Sequence, residues 1–336
     1  MKILFHSYAF APSVGGIETV SEILAREFVS AGHEVKLVTA EGKEDGLERP
    51  YQVLRGIGPV ALWKLSRWCD LIFQNNISLQ LIWPNLASSK PVVIAVQTWL
   101  NSPDGWTDLR KSLKLSVLRR SKAVSISRSV ANSLPFHSTI LGNPYRDDVF
   151  KLLPEISREK ELVFVGRLVS DKGLDLLLEA LALLDAEGLR PGLTVVGDGP
   201  DRENLESLSG RHGLASRVRF VGTRKGVELA RLLNAHRIMI VPSRWAEPFG
   251  VVALEGIACG CAVVGSEEGG LKEAIGPCGI TFANGDADDL VRALKKILET
   301  GSGIVPFLEK REEHLSGFRG RAVAESYLKL FQQVLS

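Results

Sequence analysis

The stretch Glu161-Leu162-Val163-Phe164-Val165-Gly166-Arg167-Leu168-Val169-Ser170-Asp171-Lys172-Gly173 decides the architecture. Its apolar run 162–165 shows no polar alternation, the pattern of a strand covered on both faces. A glycine-bearing turn follows, and then a helix is expected from about 171 to 186. Strand, glycine turn and helix in this order form half of a βαβ unit.

Working outward, the same rhythm recurs on both sides. Upstream, strands are expected at 2–5, 34–39, 71–74, 92–96 and 123–126. A helix at about 17–30 repeats Ile17, Val20, Ile23, Leu24 and Phe28 at helical spacing, and Gly32-His33 stops it. Downstream, strands are expected at 193–196, 218–221, 238–241 and 262–265, with helices near 201–212, 227–235 and 249–259. The fold class is therefore α/β: two Rossmann-like doubly wound domains facing each other across a cleft. The rhythm restarts after Pro154, in a Pro- and charge-bearing region, so the domains are expected at 1–148 and 149–317.

Length and composition agree. The 336 residues are 45% hydrophobic and 24% charged, which fits two globular domains and excludes disordered, fibrous and coiled-coil classes. The net charge of +2 argues against a nucleic-acid coat. Four cysteines in a chain this long are no disulfide framework, and Cys259-Gly-Cys261 lacks the spacing of a zinc or redox motif. Reduced core cysteines and a cytoplasmic location are expected. The apolar run 3–5 before His6 is too short for a signal peptide, and no stretch approaches a transmembrane length.

Open α/β sheets bind ligands at the carboxyl ends of their strands, so the strand-to-helix loops carry the candidates. In the first, Pro12-Ser13-Val14-Gly15-Gly16-Ile17-Glu18, Gly15 and Gly16 enter a helix whose N-terminus suits a phosphate. In the second, Gly166 lets the backbone approach, and Arg167 and Lys172 converge on one anion. A third turn is Val196-Gly197-Asp198-Gly199-Pro200. The fourth loop, Pro242 to Gly250, leads to Glu255. Here Pro248 favours a helix start, the N–H groups of Phe249, Gly250 and Val251 point at the cleft, and Glu247 and Glu255 offer acceptors to sugar hydroxyls. A further glycine pair, Gly269-Gly270, reads equally as a backbone approach or a turn.

These segments, taken in order, resemble the retaining nucleotide-sugar glycosyltransferases of family four (group 1), which have the two-domain GT-B architecture. The resemblance rests on the loops above, with Val218-Arg219-Phe220-Val221-Gly222, Gly142-Asn143-Pro144 and the Glu247-to-Glu255 spacing, and covers nearly the whole chain. It implies an N-terminal acceptor-binding domain, a C-terminal donor-binding domain, and a last helix, about 318–336, that packs back on the first. It implies that Arg167 and Lys172 bind and stabilise the leaving diphosphate, and that Gly16 meets the same phosphate. Glu247 with Phe249-Gly250 is expected to hold the donor sugar, and Glu255 the ribose. No metal or other cofactor is expected beyond the nucleotide-sugar co-substrate, because Arg167 and Lys172 can take a metal's place and no Asp-x-Asp motif is evident.

One position departs from the family. Where many members carry His at the end of an N-domain strand, this chain has Gln97. Gln97 cannot titrate near neutral pH. His6 is a second acceptor-side candidate, and no general base is assigned.

Charge is unevenly spread. Residues 1–150 hold 17 basic and 13 acidic residues, and no acid stands between Asp108 and Asp147. Six cations fall at 110–122, a helix with Leu109, Leu113 and Val117 at four-residue spacing and Trp99 and Trp106 upstream. Two readings stand: docking of the 109–128 stretch on an anionic membrane to reach a lipid-linked acceptor, or a solvated helix burying its leucines. Partners expected are a nucleotide diphosphate sugar, a sugar or lipid-linked glycan acceptor and no nucleic acid. The location is cytoplasmic, with peripheral attachment at the inner face if the stretch docks. Competing functions are a nucleotide-sugar epimerase and a non-catalytic nucleotide-sugar binding protein. A phosphorylase is disfavoured for want of a pyridoxal-phosphate lysine context, and a dehydrogenase for want of Gly-x-Gly-x-x-Gly.

Overall fold

The computed structural model describes residues 1–13, 15–44, 46–85, 88–100, 107–299 and 303–336. Val14 and Trp106, named above, lie outside the described residues. Two units emerge, Met1–Pro144 with Phe318–Ser336, and Tyr145–Gly317.

In the first unit the strands β1 (Lys2–Ser7), β2 (Glu34–Thr39), β3 (Gln52–Arg55), β4 (Leu71–Asn75), β5 (Val92–Val96), β6 (Lys122–Ser125) and β7 (Thr139–Ile140) form one parallel sheet. Their order is β3-β2-β1-β4-β5-β6-β7. β1 and β4 are apolar on both faces because helices cover both. Phe5, Phe28 and Phe73 build an aromatic core between the sheet and the helix Gly16–Ser30. The last helix, Gly320–Leu335, joins this core. Its Tyr327 and Phe331, one turn apart, are buried against Phe73 and Phe28 at ring-centroid distances of 5.0 and 5.5 Å. Burial of two such rings is worth several kcal/mol, on the order of 1.5–3 each, which ties the chain's end to its beginning.

In the second unit β8 (Lys160–Val165), β9 (Leu193–Val196), β10 (Val218–Phe220), β11 (His236–Val241), β12 (Ala262–Ser266) and β13 (Gly279–Phe282) form a second parallel sheet in the order β10-β9-β8-β11-β12-β13. The helix Leu174–Ala186 buries Leu174, Leu177, Leu178, Leu181 and Leu184 against it. β3, β7 and β13 are not among the expected strands: each is short, lies at a sheet edge and is only partly buried, so no apolar run marks it.

Some boundaries differ from expectation. The helix expected from 171 starts at Leu174, because Ser170–Lys172 is a 3₁₀ turn that ends on Gly173 in the left-handed region (φ 66°). The unit division falls at Pro144/Tyr145, ahead of 148/149. Asn234 accounts for this: its Oδ1 accepts from the Leu153 N–H and its Nδ2 donates to the Lys151 carbonyl, both at 2.9 Å, so the linker belongs to the second unit. All four cysteines are free and buried, with thiols pushed up by burial, Cys69 to about 11 and Cys261 to about 12. No helix among the described residues is long and apolar enough to cross a membrane.

Each sheet reverses its chain order once, the first between β1 and β4 and the second between β8 and β11. At such a point the loops leaving two neighbouring strands diverge and leave room for a ligand.

Candidate functional site

In the second unit, the loops that leave β8 and β11 flank the reversal. The β8 loop holds Gly166, Arg167 and Lys172, and the β11 loop holds Ser243 and Glu247. Backbone bonds stitch the two loops together. The Asp171 carbonyl accepts from the N–H groups of Arg244 (2.9 Å) and Trp245 (3.3 Å). Glycine is required where they touch: a Cβ on Gly173 would collide with the Pro242 carbonyl oxygen.

This contact brings Lys172 to Glu247. Lys172 Nζ donates to Glu247 Oε1 at 2.6 Å, and Ser243 Oγ donates to the same oxygen at 2.8 Å. Both groups are half-buried, so the pair is partly shielded yet reachable by a ligand. The two bonds fall on Oε1, so Oε2 has lone pairs for a ligand hydroxyl. The Lys172 stem passes Gly166, where an added Cβ would lie 3.9 Å from its Cγ. Arg167 is exposed beside them.

The loop after β12 holds Glu247 from the other side. The Gly270 N–H donates to the Glu247 carbonyl at 2.7 Å, and Gly269, at φ 82°, makes an isolated parallel bridge with Glu247. A side chain at Gly269 would strike the Glu247 carbonyl oxygen. Gly269-Gly270 is thus a backbone approach, toward protein, and positions the acid. The sequence assigns Ser243 no role and leaves the glycine pair as either a backbone approach or a turn. Their partnership with Glu247 spans sequence separations that no local pattern reports.

Glu247 precedes the helix Val251–Ala258, whose N-cap is Gly250 in the left-handed region (φ 104°). The expected helix start just after Glu247 moves to Val251. Phe249 is buried. Glu255 is half-buried on this helix. Burial pushes its carboxyl up to about 8, against the lowering pull of the Arg146 guanidinium. At neutral pH the group is mostly protonated and both donates and accepts hydrogen bonds.

The remaining candidates belong to the first unit. Gly15 is the N-cap and Gly16 the first residue of the helix Gly16–Ser30. Gln97 is not free. Its Nε2 donates to Asn75 Oδ1 (2.6 Å) and Asn143 Oδ1 (3.0 Å), and its Oε1 accepts from Asn143 Nδ2 (2.6 Å). Asn75 continues the network to Ser21 and the Ile17 carbonyl, bracing the first helix. His6 is fully buried on β1, and burial lowers its pKa to about 3, so the imidazole stays neutral. Its nearest polar partner is Asn85 Nδ2, 3.4 Å from Nε2.

The basic helix spans Thr107–Arg120. Its expected apolar stripe divides: Val117 is buried, but Leu109 and Leu113 are 73% and 48% exposed. Leu118 is buried as well. The helix therefore touches the unit through its C-terminal half and leaves two leucines in solvent beside its cations.

Residues 146–313 match the family described as Glycosyl transferases group 1. Over 186 residues the chain is 34% identical to D-inositol 3-phosphate glycosyltransferase of Corynebacterium jeikeium, covering 53% of this chain and 44% of that protein. The chain thus spans less than half of that relative's length. Over 141 residues it is 36% identical to glycogen synthase of Mycobacterium tuberculosis, covering 41% of this chain and 34% of that protein. Among solved structures, Anabaena HepE in complex with UDP superposes with a TM-score of 0.83 at 19% identity, over 99% of this chain and 100% of that one. These structures share the fold, two parallel-sheet α/β units of the GT-B class.

Proposed function

The chain belongs to the group 1 glycosyl transferases, and from that premise we propose that it moves a sugar from a nucleotide diphosphate donor to an acceptor hydroxyl with retention of configuration. The observation that carries this reading is the Lys172–Glu247 pair at the chain reversal of the second sheet. A donor site needs cations for a diphosphate and acceptors for sugar hydroxyls side by side, and this loop pair supplies both.

Departure of the diphosphate breaks the bond between the sugar C1 and the β-phosphate oxygen and leaves negative charge on that oxygen. Lys172 Nζ and the Arg167 guanidinium stabilise it without a metal. Glu247 Oε2 and the backbone at Phe249-Gly250 hold sugar hydroxyls, and Glu255 bonds the ribose. The new bond joins C1 to the acceptor oxygen, on the face the phosphate left, and the acceptor's proton passes to the departing phosphate oxygen. No protein base is needed in that sequence, which suits a first unit where His6 is buried and neutral and Gln97 is already hydrogen-bonded.

HepE, similar in fold, is described in complex with UDP and glucose, which favours UDP as the nucleotide. The exposed Leu109 and Leu113 among cations suit an anionic membrane surface, and hence a role in cell-surface glycan or glycolipid synthesis at the inner membrane face. Thermal stabilisation by UDP-, GDP-, ADP- and TDP-sugars tests the donor assignment. A rise in Tm with a UDP-sugar is expected; no rise with any of the four refutes the reading.

A further inference from the structure

β11, β12 and β13 are neighbours in the second sheet, so the loops that leave them lie side by side. Asn284, in the loop after β13, joins all three. Its Nδ2 donates to the Ser243 carbonyl at 3.1 Å, and its Oδ1 accepts from the Glu268 N–H at 2.9 Å. One carboxamide thus grips the loop after β11 with its donor and the loop after β12 with its acceptor. Each grip leads to Glu247. Ser243 donates its hydroxyl to Glu247 Oε1 at 2.8 Å. Glu268 runs directly into Gly269-Gly270, which hold the Glu247 main chain.

Both ends of this relay are fixed. Beside Asn284, the Ala283 N–H donates to Asp289 Oδ2 at 2.7 Å, and Asp286 caps the helix Ala287–Leu298 by accepting from the Asp289 N–H at 2.9 Å. The Ser243 carbonyl accepts a second bond, from Ser266 Oγ at 2.8 Å, so both of its lone pairs are used. Ser243 and Ser266 are each 1% exposed, so water cannot replace these partners. The terminal torsion of a glutamate is soft, and a carboxylate swivels unless its oxygens are held. Lys172 and Ser243 both hold Oε1. Under the proposed function Lys172 turns to the diphosphate, and the Ser243 hydroxyl then keeps the carboxylate in place.

We propose that Asn284 is a positioning residue for the donor sugar: it holds Ser243, Ser243 holds Glu247 Oε1, and Glu247 Oε2 is thereby presented to a sugar hydroxyl. The proposal rests on the reading that Glu247 holds the donor sugar. Asn284 acts through Ser243 and not by touching the substrate, so its loss is felt by the sugar half of the donor and not by the nucleotide half.

The test is calorimetric titration of the full chain with two probes, UDP and the UDP-sugar that raises Tm most. Asn284→Asp keeps the oxygen that accepts from Glu268 and puts a second oxygen where the donor to Ser243 stood. This variant is expected to bind UDP as the wild type does and the UDP-sugar about five- to tenfold more weakly, the effect of one misplaced hydrogen bond. Asn284→Ala, which adds no charge, should show the same selective loss and serves if the aspartate variant does not fold. Ser243→Ala should match them. Because Asn284→Asp acts through the Ser243 hydroxyl, the double variant should be no weaker than Ser243→Ala alone. A merely structural asparagine would weaken both probes alike or neither, and either result overturns the proposal, as do additive losses in the double variant. If no UDP-sugar stabilises the wild type, the functional reading fails instead.

Discussion

Lys172 and Glu247, 75 residues apart in sequence, meet at 2.6 Å at the carboxyl ends of β8 and β11. The pair keeps each charge compensated. Under the proposed function, Lys172 would turn to phosphate oxygens and Glu247 to sugar hydroxyls.

Lys172→Ala is therefore expected to lower turnover about 10²–10³-fold, the usual effect of removing one preformed stabiliser of developing charge. Stability should change little, because a partly exposed ion pair contributes only about 0–1 kcal/mol. Steady-state kinetics with a UDP-sugar and a urea melt check the two halves. Full activity in this variant would remove the assigned role.

Gly173 and Gly16 differ in what an added side chain would meet. Gly173→Ala puts a side chain at φ 66° and against the Pro242 carbonyl, so a loss of about 2 kcal/mol or more is expected in urea unfolding. Gly16→Ala meets nothing within 4 Å, and its stability should stay within about 0.5 kcal/mol of wild type. If Gly16 serves close approach of a donor phosphate, the donor KM of that variant rises; an unchanged KM makes it an ordinary helix residue.

Glu255 makes the stability of the second unit depend on pH. Its carboxyl is raised from 4.5 to about 8, so between those values the folded state binds more protons than the unfolded one. Stability then falls as pH rises through that window and levels off above about 8. Glu255→Gln should flatten the dependence and gain on the order of 1–3 kcal/mol at pH 8. Thermal melts at pH 5 and pH 8 decide: equal losses in wild type and variant would show that Glu255 is ionised in the fold.

Gln97→Ala opens the buried network with Asn75 and Asn143. Two side-chain amides lose partners out of reach of water, a loss of about 1–3 kcal/mol in the first unit. A urea midpoint like that of wild type would mean that the network re-forms around the gap.

Much of this was legible in one dimension. Apolar runs bounded by glycine turns marked the central strands, since a strand buried on both faces needs nearly every residue apolar. The short edge strands β3, β7 and β13 escaped, because they are only partly buried and show no apolar run. Arg167, Lys172, Glu247 and Glu255 were conspicuous as charged residues at the ends of apolar runs. Nothing in their spacing showed that Lys172 pairs with Glu247, or that Ser243 and Gly270 hold that acid.

The sequence alone therefore determined the class of fold and the loops that bear the chemistry, because hydrophobic period and glycine placement are local properties. Tertiary structure decided the rest. It made Gln97 a brace, because β4, β5 and the segment at Asn143 converge on it. It raised Glu255 by burying it, and it left Leu109 and Leu113 in solvent. It joined Asn284 to Ser243 and Glu268, because sheet order sets the ends of β11, β12 and β13 side by side. Pairing and burial depend on which distant segments meet, and that is settled only when the chain closes.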